Sequence, residues 1–435
     1  MRKPVLFALL VLYTTGAAAQ TVIFTETFES TNGQAPPPGW SWNGTAPQYV
    51  TGNLSNYAIR KESPDQSVPP LPMGGASWLF HPLPYTAGWQ YRIIGDMYVS
   101  GSGSSTAAAG AILCWMDLGT GQFVTSGNSI TSFSQFPFWQ TFTGGWLTVG
   151  SNTVGPNAQF GIMLTVQGPD GNAFGAFDNI TVSYQLPSVQ VQPRIWLDGP
   201  FDPATNLMRD DLRVAGLIPT TEPYSAVYGG TGGETVAPSV LAVTGNNAVV
   251  DWVRVELRTT PAGPAVAAVH GLLQRDGDVV DVNGFSPLRF YVNNGLYHVV
   301  VRHRNHLPVM TANALSLAST AFPIDFRAPA TNCFTLPDPQ TDLPRKTVGT
   351  TRTLWAGDAT GNGMVSYVGS GNDRDAILLA IGGVTPSAVI TGEYRPEDVN
   401  LDGSVKYTGT NNDRDIVLQT IGGSTPTAVR FAQVP

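Results

Sequence analysis

Asp398, Asn400 and Asp402 stand at alternate positions and are followed at once by Gly403. Side-chain oxygens spaced in this way converge on one hard cation, and a glycine at the sixth position permits the sharp turn that gathers them. Forty residues upstream the frame recurs as Asp358, Thr360, Asn362 and Gly363. The upstream copy carries fewer carboxylates and is expected to be the weaker site, because ligand charge is one determinant of affinity. The chemistry implied is a pair of calcium sites.

Position 12 of each loop, where an acidic residue ordinarily closes an EF-hand, holds Gly369 or Gly409. Both copies instead carry Asn-Asp-Arg-Asp a few residues on, Asn372 to Asp375 and Asn412 to Asp415. The loops are therefore expected to be lengthened and closed by one of two aspartates at a helix start, Asp373 or Asp375 in one repeat and Asp413 or Asp415 in the other. Short apolar helices follow over 376–381 and 416–421, each ended by Gly-Gly. The bland alternative is a pair of Asn/Asp/Gly-rich surface turns without metal. The repeats resemble dockerins, paired loop-helix calcium motifs of secreted bacterial proteins with the pattern D-x-N-x-D-G before a Leu-rich helix. That resemblance implies a cohesin-like protein partner, although the elongated loop departs from the pattern at the helix start.

Residues 1–19 combine two early cations, an apolar stretch and a small-residue Ala17-Ala18-Ala19 site. They read as a secretory signal peptide, which predicts a secreted, extracellular or cell-surface protein. No later run approaches the length of a membrane span. Charged residues are only 12% of the chain, and its 48 Gly and 34 Pro suit short strands joined by many turns. A net charge of −8 argues against nucleic-acid binding. Cys114 and Cys333, the two cysteines, fall in different predicted modules, so no disulfide framework is expected.

The predicted fold is mainly β: a jelly-roll β-sandwich over 20–186, an immunoglobulin-like β-sandwich over 187–330, a linker over 331–350 and the small α-helical EF-hand-type repeat pair over 351–435. In the first module, strand candidates at 90–99, 107–116, 139–149 and 159–166 are bracketed by alternating segments at each end. Seven of the ten tryptophans lie here, and flat aromatic faces stack on sugar rings; Phe136, Phe138 and Trp139 are the candidate platform, against the alternative of core packing. Phe28-Glu29-Ser30, Pro38-Gly39-Trp40 and Phe177-Asp178-Asn179-Ile180 resemble jelly-roll modules of bacterial carbohydrate-binding and adhesin proteins. That resemblance implies Glu29 and Asp178 as ligands of a structural calcium.

In the second module, Asp276-Gly277 is a two-residue hairpin signal. Along 249–257, Asp251, Val253, Val255 and Leu257 share one face while Trp252, Arg254 and Glu256 share the other. His298 and His303 lie an odd number of residues apart and point to opposite faces of a regular strand, which argues against zinc. Arg302, Arg304 and Asn305 are expected to pair with acids such as Glu256 or Asp251 and to satisfy strand-end carbonyls. Phrases such as WLDGPFDPATNLMRDD and LLQRDGDVVD, with the repeats, resemble a C-terminal module of large secreted bacterial adhesin-like or hemagglutinin-like proteins. No nucleophile elbow, zincin, Walker or dinucleotide pattern appears. The reading is a non-catalytic, calcium-stabilised adhesin or glycan-binding protein whose partner is an extracellular glycan or glycoprotein. The alternatives are a carbohydrate-active hydrolase or accessory protein, for which a carboxylate pair such as Glu234 and Asp251 stays open, and a scaffold component docking through its tail.

Overall fold

The computed structural model describes residues 20–435 apart from 30–38, 44–45, 53–57, 63–75, 102–107, 134–135, 153, 168–172, 229–232 and 337–342. Residues 1–19, read above as a signal peptide, lie outside the described residues. The chain divides into two compact units, Met1–Pro187 and Ser188–Pro435. It is mainly β, as its turn-rich composition implies.

The first unit is a sandwich of two antiparallel sheets. One runs Leu147–Thr148, Gln90–Gly101, Ala173–Gln185, Ala58–Glu62, Gln48–Val50, with Thr21–Glu26 also on Ala173–Gln185 and Phe136–Thr143 also on Gln90–Gly101. The other runs Ser41–Trp42, Ala76–Pro82, Gln159–Gln167, Ala108–Met116, Phe123–Phe133. Most neighbours in the two sheets are not consecutive in the chain, which crosses repeatedly between them, and this makes the unit a jelly roll rather than a meander. Alternation fills the core: Ile93, Val99, Phe177 and Val182 come from one sheet, Leu79, Leu113, Ile162 and Leu164 from the other. The five-stranded sheet is apolar on its second face too, where Trp78, Phe80, Cys114, Met116 and Met163 cluster.

In the second unit a six-stranded sheet runs Val279–Val280, Ala267–Gln274, Val249–Arg258, Gly295–His303, His306–Met310, with Leu315–Leu317 also on Gly295–His303. It packs with a three-stranded sheet of Leu288–Phe290, Val189–Arg194 and Ala321–Asp325 over a core that includes Val191, Val253, Val255, Leu272, Val301, Phe290 and Phe326. Val189–Arg194 and Ala321–Asp325 pair in parallel, inside an otherwise antiparallel sandwich. The Asp276-Gly277 hairpin forms, with Leu272 opposite Val280 and Leu273 opposite Val279. All ten residues of Val249–Arg258 are buried, because the face that carries Trp252 and Arg254 is covered in turn: Trp252 Nε1 donates to Pro219 O (2.8 Å), and Arg254 lies over the Tyr228 ring.

The repeat pair belongs to this same unit rather than standing apart beyond a linker. Its helices Asp373–Ala380 and Asp413–Thr420 pack on each other through Ile377 and Val417. Its short strands cross over between repeats, Met364–Ser366 pairing with Val429–Phe431 and Val389–Thr391 with Ser404–Lys406. Two leucines are exchanged with the sandwich, Leu401 of the second loop lying in the sandwich core and Leu307 of the sandwich in the core of the repeats.

Candidate functional site

The two acidic loops share one hydrogen-bond frame. Asp358 accepts the amides of Asn362 (3.0 Å) and Gly363 (2.9 Å), and Asp398 those of Asp402 (3.1 Å) and Gly403 (2.9 Å). Gly363 and Gly403 adopt φ of 80° and 82°, a left-handed conformation that glycine enters without a Cβ clash. Asp373 and Asp413, the first residues of the helices, reach back into the loops. Asp373 accepts the Thr360 amide (3.1 Å), the Thr360 hydroxyl (3.0 Å) and the Ser366 amide (2.8 Å); Asp413 accepts the amides of Val399 (2.9 Å) and Lys406 (2.8 Å).

Asp375 and Asp415 do different work. Asn372 and Asn412 cap the helices by accepting the amides of Asp375 and Asp415 (2.9 Å each), and their side-chain amides donate back to those carboxylates (2.8 Å each). Arg374 and Arg414 pair with the same acids at 2.8 Å. Hydrogen bonds from Asn372 and Arg374 hold Asp375 below the usual carboxylate range; Asp415 is held low by Asn412 and Arg414 against the opposing effect of burial. Of the two aspartates open in each repeat, the geometry turns Asp373 and Asp413 toward the loop.

The loop carboxylates are crowded and dry: Asp358, Asp373, Asp398 and Asp413 are each at most 4% exposed. Burial and the Asp373 charge push Asp358 up to about 7, and burial and Asp398 push Asp413 up to about 8. Burial also raises Asp373, and it lifts Asp398 to about 6 with Arg304 opposing. Acids in this position either hold a proton or sit beside a cation. The donors are all oxygens, so the residues fit calcium. In the second loop one charge is already met, because Lys406 Nζ lies 2.9 Å from Asp402 Oδ2, whereas the matching position in the first loop is Ser366. This lysine offsets the extra carboxylate on which the expected ranking of the two sites rested.

On the jelly roll, Trp139 and Phe138 are neighbours on one strand, Phe138 exposed and Trp139 half-buried, with a register break between Met97 and Val99 beside them. Phe136 lies on the same strand, and its side chain is outside the described residues. Trp139 joins residues that the sequence reading missed. Its ring centroid is 5.9 Å from that of Tyr98, Tyr98 is 5.8 Å from Phe174 in a stacked arrangement, and Arg60 lies 3.9 Å over Phe174 while bonding Glu62 at 2.9 Å. The row crosses four strands that are scattered in sequence and adjacent in the sheet, which is why no local motif marks it. All four side chains are half-buried.

Asp178 is fully buried on the same strand as Phe174, beside a bulge, and directly opposite Asp96. Asp96 accepts Thr141 Oγ1 (2.6 Å) and Asn179 Nδ2 (2.8 Å). Glu29 follows Thr21–Glu26, whose last residue pairs with Ile180, so both acids named by the resemblance lie toward the same end of the sheet.

In the second unit, Asp251 is fully buried and bonded to His303 Nε2 (3.1 Å), Arg304 Nε (3.0 Å) and the Tyr394 hydroxyl (2.6 Å). Arg304 and His303 hold it ionised against its desolvation, so it is saturated and out of a substrate's reach. Arg302 pairs with Glu256 at 3.0 Å, as the sequence implies. Glu222, Glu234 and His270 form the one His/Cys/Asp/Glu cluster of metal-site compactness among the described residues. Glu222, however, is occupied by the amides of Tyr224 (2.6 Å), Ser225 (3.0 Å) and Gly233 (3.0 Å). His270 Nδ1 lies 2.9 Å from Glu234, and its Nε2 lies 3.2 Å from Arg254 Nη1, which can only donate. The proton therefore sits on Nδ1, and a metal there would force a second N–H against the guanidinium. This is a hydrogen-bond network in which Glu222 also accepts from the Ser225 hydroxyl, and the His270 imidazole offers a metal no free nitrogen. The thiols of Cys114 and Cys333 are free and pushed up by burial to about 12 and about 11.

No protein-family model matches the chain, and no curated protein matches it. Solved structures do. The CBM22-1 xylan-binding domain of Paenibacillus barcinonensis Xyn10C is 11% identical, with a TM-score of 0.27 over 39% of this chain and 98% of that one. TmCBM61 in complex with β-1,4-galactotriose is 17% identical, with a TM-score of 0.22 over 36% and 92%. The Stig cyclase Fisc of Fischerella sp. TAU is 13% identical, with a TM-score of 0.27 over 38% and 98%. At these scores the fold assignment rests on the sheet order above. No helix among the described residues is long and apolar enough to cross a membrane.

Proposed function

We propose that this is a secreted, calcium-stabilised glycan-binding protein of adhesin type that binds without turnover. The observation that carries the glycan reading is the row Trp139–Tyr98–Phe174 with Arg60 stacked on its end and Glu62 paired to it. Trp139 and Tyr98 offer aromatic surface to the apolar faces of sugar rings, and the guanidinium that covers Phe174, with Glu62 beside it, takes hydroxyls, so the stripe offers both kinds of contact a glycan needs. Calcium belongs to the repeats, where Asp358 and Asp373, and Asp398 and Asp413, supply buried oxygens that need a counter-charge, with Asp402 beside the second pair and already partnered by Lys406. Through their packing on the second sandwich, cation binding there contributes folding free energy to that unit. In the jelly roll, Glu29 and Asp178 remain the proposed ligands of a structural ion.

The non-catalytic reading is supported by the state of the acids in the second unit: Asp251 is saturated and Glu234 is committed to His270. The test is a glycan array on the full chain with calcium, repeated with Trp139→Ala and Phe174→Ala. Binding that weakens in both variants, with every bound glycan recovered intact, supports the proposal. Undiminished binding in both variants, or hydrolysis of a bound glycan, refutes it.

A further inference from the structure

The turn Arg304-Asn305, between the strands Gly295–His303 and His306–Met310, lies against both acidic loops. Asn305 is fully buried. Its carbonyl oxygen accepts the amides of Gly357 (3.1 Å) and Asp358 (3.2 Å), the start of the first loop. Its side-chain amide donates to the carbonyls of Asp398 (2.7 Å), the start of the second loop, and Pro396 (3.0 Å). The second loop is held further by Arg209 Nη2, which donates to Asn400 O at 3.0 Å, and by Leu401, which takes φ 57° to enter the sandwich core. Gly199 of the sandwich approaches so closely that an added Cβ would lie 3.0 Å from Asn400 Cα.

The strands inside the two loops do not pair with each other. Met364–Ser366 and Ser404–Lys406 each pair with a strand that follows the other repeat's helix. Asn305, by contrast, joins the first ligand position of one loop to that of the other through a single residue. We propose that Asn305 is a positioning residue that couples the two calcium sites to each other, so that filling one loop fixes the main chain from which the other is built. The proposal rests on the calcium reading of the loops and adds the route of coupling. Ordering Asn305 is shared between the sites, so the second ion meets a loop whose entropy is already partly spent, and coupling of this origin is reciprocal.

The test is calorimetric titration of the full chain with calcium chloride, comparing the second loop with the first loop intact and with it silenced by Asp373→Asn. Silencing is expected to weaken calcium at the second loop about fivefold or more, the lower end of ordinary allosteric coupling. In Asn305→Ala the same comparison is expected to change affinity by less than about twofold, the double-mutant signature of a lost link. Asn305→Asp has nearly the same size, keeps the main-chain acceptor and removes the side-chain donors, and is expected to behave alike if circular dichroism shows the sandwich folded. A wild-type chain that binds no calcium overturns the calcium reading and the proposal together. Calcium bound at both loops, with coupling absent in the wild type or undiminished in the Asn305 variants, overturns the proposal alone and in the latter case assigns the route to the crossed strands.

Discussion

In the absence of metal, the second unit should lose stability as pH rises from 6.5 to 8. Asp398, Asp358 and Asp413 titrate at about 6, 7 and 8 in the folded chain, against an ordinary value near 4. The folded state therefore binds more protons than the unfolded one. Stability from these groups is fully present below the unfolded value and is lost as pH passes through the folded values. Burial lowers His303 and His306, which act in the opposite sense; half protonated in the unfolded chain at pH 6.5, the two together offset roughly 0.8 kcal/mol before their effect ends near pH 7.5. Summed from pH 6.5 to 8, the carboxylates release the equivalent of about two pH units of linkage, on the order of 2–3 kcal/mol. For a unit of this size that is about 5–10 °C in melting temperature. Scanning calorimetry of the full chain in chelator should show the fall, and saturating calcium should abolish it, because the ion replaces the protons. Asp413→Asn should remove part of the slope and raise the metal-free melting temperature at pH 8 while losing calcium response. A metal-free transition that is flat or rises over this window would refute the reasoning.

Other substitutions probe other parts of the account. Lys406→Ala should tighten calcium at the second loop by titration, since it frees Asp402. Leu401→Ala should cost about 2–4 kcal/mol of unfolding free energy in a denaturant melt, because it empties a site in the sandwich core. Asp251→Asn should cost about 3–5 kcal/mol by the same assay, as it leaves Arg304 buried without its counter-charge. Trp139→Ala should weaken glycan binding by roughly 1–3 kcal/mol, taking base–aromatic stacking as the guide, as read by affinity on the array's best ligand.

What the sequence reveals follows how local each feature is. The acidic loops are legible because their oxygens lie within six residues and recur at a fixed spacing. The choice between Asp373 and Asp375 also had a local signal: Asn372 three residues before Asp375 is a capping pair, which commits Asp375 to the helix end and leaves Asp373 for the loop. The Asp276-Gly277 dipeptide made its hairpin readable, and cations beside strand-borne acids made the pairing of Arg302 and Arg304 with Glu256 and Asp251 readable. The row of Tyr98, Trp139, Phe174 and Arg60 was not, since it exists only once the sheet order places four distant strands together. Nor was the union of repeats and sandwich, because Leu401 in a calcium-type loop gives no hint that its side chain completes another core.

Calcium stoichiometry tests the central claim most directly. Equilibrium dialysis of the full chain should show one ion fewer in Asp373→Asn, one fewer in Asp413→Asn and two fewer in the double variant, with Asp375→Asn and Asp415→Asn unchanged. Stoichiometry indifferent to Asp373 and Asp413, or lost on changing Asp375 or Asp415, would contradict the account.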